Sequence, residues 1–251
     1  MKHSNMKRLF VLLFLINSTT GFSQGTEGVV TYQRTQFWTK ILPRLTFLSQ
    51  EEKDRELRTW GSDDTGWKTK YQLYFNGKES KFVEIQEQSE YGYNRRPSEY
   101  MIYRNFDQEK RVEIEEISAK QYLVEDSLVT PSWKVLNKIK EVNGELCMMA
   151  VTEDTIRGQK IVAWFANNIA VSAGPEKYFG LPGLIMELDI DDGAVIISAI
   201  KVEMKPVSEQ LVLPKKIKGK KIGASDYDKL IAGIIRDSNK GRRNPYWSIR
   251  Y

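Results

Sequence analysis

The feature that most constrains the fold of this chain is a two-residue alternation of polar and apolar side chains. It is clearest at residues 111–115 and 200–205, and Trp133, Val135 and Ile139 share one parity in a third stretch. Such alternation is typical of a β-strand that is buried on one face. Further strands are predicted at residues 29–37, 70–75, 81–86, 99–106, 121–124, 146–152, 160–165, 183–190 and 194–204.

Short turns separate these strands. Asn76-Gly77, Asn143-Gly144 and Asp192-Gly193 are dipeptides that tolerate a positive φ, and strand-like sequence flanks each of them. Roughly ten strands joined by short turns favour antiparallel pairing over alternating strands and helices. We therefore predict a mainly β protein, with a single curved antiparallel meander sheet and one or two helices packed on it.

Two helices are predicted from capping patterns. Ser49 and Glu52 form a capping-box pattern ahead of residues 53–60, although that stretch is very polar. Ser225 and Asp228 resemble a second helix start. The apolar residues that follow at helical spacing are Tyr227, Leu230, Ile231 and Ile234.

The first 23 residues have the organisation of a secretory signal peptide. Lys2, Lys7 and Arg8 precede an apolar run at residues 9–16, and Gly21 and Ser23 suit a cleavage site after residue 23. The run is too short to span a bilayer, which needs about 20 residues. We predict an exported protein, periplasmic or secreted and not lipid-anchored, with one β-rich domain at residues 24–251.

Histidine and cysteine counts restrict the chemistry. The one histidine, His3, lies in the predicted signal, so the mature chain would lack Ser-His-Asp, Cys-His and His-bearing metal sites. The one cysteine, Cys147, lies in an apolar run and is predicted to pack in the core. The mature chain would carry 35 basic and 33 acidic residues, too small an imbalance for a nucleic-acid-binding role.

One segment resembles a known family. It contains Asn143-Gly144, Cys147 and Ala150, then Trp164-Phe165, Gly174-Pro175 and the hexapeptide at residues 180–185. In this order and spacing it resembles the GLPGLI family of secreted Bacteroidota proteins. The resemblance implies an exported, β-rich protein and no reaction. The fold also resembles that of periplasmic lipoprotein-carrier proteins, and by this analogy the curved sheet is a half-barrel in one version of the prediction.

The family motif has a structural and a functional interpretation. Pro182 fixes φ and lacks an N–H donor, while Gly180 and Gly183 permit a positive φ or close backbone approach. The motif is therefore a corner that leads into a strand, or one lip of a binding surface with Gly174-Pro175 as the other. The candidate residues are Cys147, Trp164, Phe165, Gly174, Pro175, Gly180, Leu181, Pro182, Gly183, Leu184 and Ile185.

Acidic residues suggest two weaker possibilities. The segment from Asp189 to Gly193 is one residue short of a calcium-loop pattern and is better explained as a turn. Carboxylates two residues apart on one strand face could form a glycosidase-like pair. These are Glu113, Glu115 and Glu116 in one group, and Glu187 and Asp189 in the other.

Near the C-terminus, residues 215–221 hold five lysines, which predicts a solvated loop or contact with anionic lipid head groups. The aromatic segment at residues 244–251 is predicted to form a last strand or to fray.

The sequence contains no catalytic, cofactor-binding or metal-binding motif. We therefore expect a non-enzymatic binding or accessory protein of the cell envelope, with no cofactor. Its aromatic-rich sheet would bind an apolar ligand or lipid, or an outer-membrane protein or transporter, and no transmembrane segment is expected after signal cleavage. A hydrolase that uses paired carboxylates is the alternative.

Overall fold

The computed structural model of the protein describes residues 27–60, 64–85 and 99–251. The predicted signal peptide lies outside these residues. The described chain is mainly β, which confirms the predicted fold class, and its twelve strands form one open, mostly antiparallel sheet. The strands are β1 (Gly28–Gln36), β2 (Trp67–Phe75), β3 (Glu79–Glu84), β4 (Met101–Asn105), β5 (Lys110–Ile117), β6 (Lys120–Ser127), β7 (Lys134–Val142), β8 (Glu145–Asp154), β9 (Gln159–Ala166), β10 (Leu184–Ile190), β11 (Val195–Met204) and β12 (Lys220–Ile222).

The sheet consists of two meanders joined by its first strand. Strands β2 to β6 follow one another on one side of β1, and β11 to β7 follow one another on the other side. The chain crosses from one end of the sheet to the other between β6 and β7. Strand β12 pairs with β6 in parallel, at one edge. The first strand is therefore central, although a simple meander would place it at an edge.

The sheet curls so that its two halves face each other. Glu115 of β5 and Arg157 of the β8–β9 turn line the same cavity, although seven strand spacings separate β5 from β9 in the strand order. In a flat sheet this separation would be about 34 Å, at roughly 4.8 Å per spacing. One continuous core fills the space between the halves and includes Phe82, Ile102 and Phe165.

Two of the three predicted positive-φ turns are confirmed, whereas Asn76 and Gly77, which join β2 to β3, do not have positive φ values. Asn143 and Gly144 join β7 to β8 with φ values of 50° and 81°, and Asp192 and Gly193 join β10 to β11 with φ values of 54° and 85°. Two consecutive residues with positive φ are typical of tight hairpin turns, because the twist of such a turn matches the right-handed twist of the two strands that it joins.

Four α-helices lie among the described residues: α1 (Trp38–Arg44), α2 (Gln50–Trp60), α3 (Ser208–Leu211) and α4 (Ala224–Lys240). The capping box of α2 is confirmed, because Ser49 N donates to Glu52 Oε2 at 2.6 Å and Glu52 N donates to Ser49 Oγ at 3.3 Å. The helices α1 and α3 are not among those predicted from capping patterns.

The helix α4 is present, but its predicted cap is wrong. Ser225 lies inside the first turn, and the N-cap residue is Gly223. The carboxylate of Asp126, at the end of β6, accepts a hydrogen bond from Ala224 N at 2.9 Å instead. The cap comes from another strand, so it leaves no signal in the local sequence.

The predictions for the C-terminal region need two corrections. The lysine run is not wholly a loop, because Lys220 and Lys221 belong to β12. The aromatic segment forms neither a strand nor a frayed end: Pro245–Trp247 is a 3₁₀ helix, and Ile249 and Tyr251 are buried. Asn244 caps this turn by accepting a hydrogen bond from Tyr246 N.

Candidate functional site

Strand β5 directs polar side chains into the protein interior. Its apolar residues Val112 and Ile114 pack against Leu213 and Ile217, which cover the outer side of the sheet. Its polar residues therefore face the space inside the curled sheet, where Glu113 is only 6% exposed. Alternation predicts one buried face, whereas this strand has two, because the curl of the sheet encloses the polar side.

The enclosed polar space is a cavity of about 60 Å³, which we call the inner cavity. It lies between Glu113, Glu115, Asp154, Gln159, Glu176 and Arg250. These residues come from β5, the β8–β9 hairpin, the loop after β9 and the C-terminal segment.

Glu176 is the most heavily paired carboxylate of this cavity. Its Oε1 accepts hydrogen bonds from Arg34 Nε at 3.2 Å and from Arg250 Nε and Nη2 at 2.9 and 2.8 Å. Its backbone oxygen also accepts a hydrogen bond from Arg104. Burial alone would raise the pKa of Glu176, but Arg250 and Arg34 outweigh burial and hold the pKa below its usual value.

Asp154 is paired in a similar way. Arg157 Nη1 lies 3.2 Å from its Oδ2, and Lys177 Nζ contacts the same oxygen. Backbone N–H groups of Ile156 and Arg157 donate to its Oδ1 at 2.9 and 3.1 Å. Burial would raise the pKa of Asp154, but Lys177 and Arg157 lower it below its usual value.

Glu115 differs from these carboxylates. It is partly buried, and none of the described residues donates a hydrogen bond to it or forms a salt bridge with it. Burial and the nearby charge of Glu113 raise the pKa of Glu115 to about 7, against the opposing effect of Arg250 and Arg157. Glu115 is therefore protonated for part of the time at neutral pH.

A second, more open cleft of about 360 Å³ adjoins the inner cavity. This outer cleft lies between Trp38, Trp67, Tyr71, Tyr246, Trp247 and Arg250, and it shares Tyr100, Glu115 and Arg250 with the inner cavity. Its lining also includes the charged residues Arg34, Glu84 and Glu116.

Three tryptophans form the aromatic part of the outer cleft. The rings of Trp38 and Trp247 stack at a centroid distance of 4.7 Å, and Trp67 meets Trp38 edge-on at 6.2 Å. Trp38 is buried by its position in α1, whereas Trp67 and Trp247 are 45% and 44% exposed. The outer cleft therefore has an aromatic wall in which the side chains of Trp67 and Trp247 are partly exposed.

Arg250 connects the cleft and the cavity. Its guanidinium carbon lies 4.2 Å from the ring centroid of Tyr100 and 4.9 Å from that of Tyr71, and its nitrogens donate to Glu176. Cation–π contacts of this kind orient a guanidinium. The C-terminal segment therefore supplies one wall of both spaces.

The family-motif residues lie away from the site. None of the eleven candidate residues of the motif lines the inner cavity or the outer cleft. Cys147 is buried, and burial raises the pKa of its thiol to about 11. Phe165 is buried in the core, and the ring of Trp164 lies 4.7 Å from Lys140 Nζ.

The glycine and proline residues of the motif shape the loop between β9 and β10. A Cβ on Gly183 would lie 2.2 Å from the backbone oxygen of Ala166, and a Cβ on Gly180 would lie 2.3 Å from Thr130 Cγ2. Gly174 and Pro175 are buried immediately before Glu176, which has φ of 51°. Leu181, Leu184 and Ile185 are buried, and Pro182 is exposed. The loop carries Glu176 and Lys177 to the cavity.

Sequence reasoning found part of the site. It proposed Glu113, Glu115 and Glu116, which the structure places at the cavity and the cleft. It missed Asp154, Arg157, Glu176, Lys177 and Arg250. The signal for Glu176 and Lys177 was present: they are the only two charged residues in the segment from residue 162 to residue 186.

The other acidic candidates have structural partners. Glu187 forms an ion pair with Lys140 and accepts a hydrogen bond from Ser198 Oγ, and Asp189 accepts one from Gly193 N. Asp191 accepts hydrogen bonds from Lys160 N and the Tyr251 hydroxyl. Within the described ranges, no group of three His, Cys, Asp or Glu residues is placed to hold a metal ion.

A membrane-spanning helix is also absent from the part of the chain that the structure describes, since no helix there has the necessary length and apolar character.

Comparison with known proteins gives a family match and a fold similarity. A family model described as "Protein of unknown function (Porph_ging)" matches residues 79–187, less than half of the chain. The matched segment includes every residue on which the resemblance to the GLPGLI family rests. No curated protein matches the chain.

Among solved structures, the chain is similar to PNGF-II in two crystal forms, with TM-scores of 0.53 and 0.51 and 15% identity in each. The alignments cover 82% of this chain and 32% and 33% of PNGF-II. The chain thus spans about a third of the length of PNGF-II, and at this identity the similarity concerns the fold. The chain therefore has a fold similar to part of PNGF-II and carries a segment that matches a family of unknown function.

Proposed function

We propose that this protein is an exported binding protein of the cell envelope and that its outer cleft holds a saccharide. The observation that carries the proposal is the combination of two exposed tryptophan rings, Trp67 and Trp247, with charged side chains in one cleft. Aromatic faces pack against the C–H faces of sugar rings, and charged groups such as Arg34 and Glu84 suit hydroxyl groups.

Export is supported by the signal-peptide pattern of residues 1–23 and by the family resemblance. The absence of a cysteine directly after the apolar run supports a protein without a lipid anchor. An outer-membrane partner stays a prediction.

The character of the two spaces favours a polar ligand over a lipid. The space between the sheet halves is filled by side chains such as Phe82, Ile102 and Leu184, each less than 2% exposed. The inner cavity is lined by several ionised groups, and an apolar lipid chain placed against them would deprive them of water. We therefore prefer a saccharide to the apolar ligand expected from the sequence.

Tryptophan fluorescence titration with a panel of neutral oligosaccharides tests the proposal. We expect Trp67→Ala and Trp247→Ala each to weaken binding about tenfold, the effect of losing one aromatic contact. Trp164→Ala, which removes a partly buried tryptophan outside the cleft, is the matched control and should leave the affinity unchanged. Equal affinities for all three variants, or no binding by the native protein, would contradict the proposal.

A carboxylate hydrolase is the second candidate, and the raised pKa of Glu115 favours it. A carboxyl with a pKa of about 7 can donate a proton to a leaving group at neutral pH. Chromatographic analysis of bound oligosaccharides after long incubation separates the two functions. Products that disappear in Glu115→Gln, while binding remains, would establish hydrolysis; an intact ligand would favour binding alone.

A further inference from the structure

The chain segment from Leu213 to Lys221, which we call the lysine strap, packs on the outer side of the sheet. Its residues Leu213 and Ile217 contact an apolar cluster that β4, β5 and β6 supply. At the end of the strap, β12 pairs with β6. The strap is therefore attached to the sheet at several points, and the lysines between these points have defined positions.

The strap and the sheet form a depression of about 380 Å³, which we call the strap depression. Its charged lining consists of four lysines and one carboxylate, namely Lys110, Lys215, Lys216, Lys221 and Glu125. All five side chains are exposed to solvent, so a ligand can reach them. No residue lines both this depression and the inner cavity or the outer cleft.

The lysines of the strap depression are poorly neutralised. Lys221 Nζ lies 3.4 Å from Glu125 Oε2, and an ion pair this exposed contributes little. Within the described part of the chain, Lys110, Lys215 and Lys216 form no salt bridge. Four lysines against one glutamate leave an excess of three positive charges. The predicted mature chain as a whole carries 35 basic and 33 acidic residues, an excess of only two.

The surroundings of these lysines strengthen their effect on an anion. Val112 and Leu123 are 1% and 2% exposed and form an apolar floor. A concave surface with charges of one sign and low-dielectric walls concentrates the electric field and attracts ions of opposite sign. Among the described residues, the backbone N–H groups of Lys215, Lys216 and Ile217 also have no backbone acceptor. The depression therefore has the character of an anion site.

The donor type indicates which anion fits. A lysine ammonium is a point charge that binds phosphate, whereas the planar guanidinium of arginine suits bidentate contact with a carboxylate. A phosphate monoester carries nearly two negative charges and three strong acceptor oxygens at neutral pH. It matches an excess of three positive charges better than a singly charged carboxylate or sulfate does.

We propose that the strap depression binds a phosphate monoester through Lys110, Lys215, Lys216 and Lys221. Its volume of about 380 Å³ lies within the usual range of small-molecule sites, roughly 300–1,000 Å³. The depression thus has room for the phosphate and for part of the group that carries it. That group is a soluble molecule or a lipid, since both present the same phosphate chemistry. The site is separate from the outer cleft and does not depend on the proposed saccharide function.

Calorimetric titration with glycerol 3-phosphate at low ionic strength tests the site. We expect the double variant Lys215→Gln/Lys216→Gln to bind about 20-fold more weakly, a loss of about fivefold for each lysine. The matched control is Lys134→Gln/Lys138→Gln, which removes two exposed lysines of β7 outside the depression and should keep the native affinity. Equal losses in the two double variants would show a general charge effect and overturn the site.

Glu125→Gln gives an effect of the opposite sign. It removes the one carboxylate of the strap depression and the ion-pair partner of Lys221. We therefore expect glycerol 3-phosphate to bind several-fold more tightly to this variant than to the native protein. An unchanged or weaker affinity would overturn the arrangement of charges that we propose.

The pH dependence distinguishes a phosphate site from a general anion site. The second pKa of a phosphate monoester is about 6, so affinity for glycerol 3-phosphate should rise between about pH 5 and pH 7.5. Methyl sulfate faces the same groups, which are the four lysines and Glu125, but keeps a single charge. The comparison therefore isolates the titration of the phosphate. A parallel rise for methyl sulfate, or equal affinities at pH 7.5, would overturn the phosphate assignment.

Cosedimentation with phosphatidylcholine vesicles, with and without phosphatidic acid, identifies the source of the phosphate. Binding that requires phosphatidic acid and is lost in Lys215→Gln/Lys216→Gln would support the site with a lipid headgroup as its ligand. Binding of glycerol 3-phosphate without binding to vesicles would support the site with a soluble ligand. Binding of heparin alone would indicate a surface for acidic polysaccharides and overturn the proposal, as would the failure of every probe to bind.

Discussion

Glu176→Gln tests whether the buried charge cluster holds the fold together. The substitution keeps the shape of the side chain and removes the charge that Arg34 and Arg250 share. Both ion pairs are strongly desolvated, since the side chains of Glu176 and Arg34 are 8% and 7% exposed and that of Arg250 is 21% exposed. Breaking a buried ion pair from one side lowers the free energy of unfolding by about 3–5 kcal/mol.

We expect a loss of about 3 kcal/mol for this variant, the lower end of that range, because the glutamine oxygen can still accept hydrogen bonds from both arginines. Urea denaturation followed by circular dichroism measures the loss. The matched control is Glu125→Gln, which removes an exposed ion pair with Lys221 and should change the free energy of unfolding by less than about 1 kcal/mol.

The pH dependence of this difference follows from the lowered pKa of Glu176. Because the pKa is lower in the folded state than in the unfolded state, the stabilisation is complete above the ordinary glutamate pKa of about 4.3. It is lost as pH falls through the folded-state value. The difference between native protein and variant should be constant from about pH 5 to pH 8 and should shrink below about pH 4. If Glu176→Gln is as stable as Glu125→Gln at pH 7, the role assigned to the cluster is wrong.

Two further predictions concern the region around the family motif. Gly183→Ala should destabilise the protein by more than about 2 kcal/mol in urea denaturation, because its Cβ would lie 2.2 Å from the backbone oxygen of Ala166; Gly77→Ala, whose Cβ would meet no atom within 4 Å, is the control, and equal losses would contradict the argument. Cys147 should react with a thiol reagent at pH 8 only after denaturation, since burial raises its pKa to about 11; rapid labelling of the native protein would refute its burial.

The strands and turns could be predicted because their signals are local. Alternation and turn dipeptides such as Asn143-Gly144 act within a few residues, and the corresponding strands and hairpins are present. The apolar run around Cys147 also predicted a strand, although Leu146 is 64% exposed on it. Periodicity identifies a strand, but it does not say which face the rest of the protein covers.

The site could not be predicted in the same way because it depends on the curl of the sheet. Glu115 carries no local mark that distinguishes it from an exposed strand residue such as Glu116. It becomes distinctive only where Arg157 and Arg250, far away in the sequence, approach it. The helix cap from Asp126 escaped prediction for the same reason.

The central position of β1 has a consequence for how the protein folds. Gly28 pairs with Met204 and Gln36 pairs with Val195, so this strand joins parts of the chain that are very distant in sequence. Each meander can form from neighbouring strands, whereas the β1–β11 pairing must close a long loop and is expected to form slowly. The inner cavity takes its walls from both meanders. Ligand binding would therefore appear only after the two halves have joined, and its recovery during refolding would time that final step.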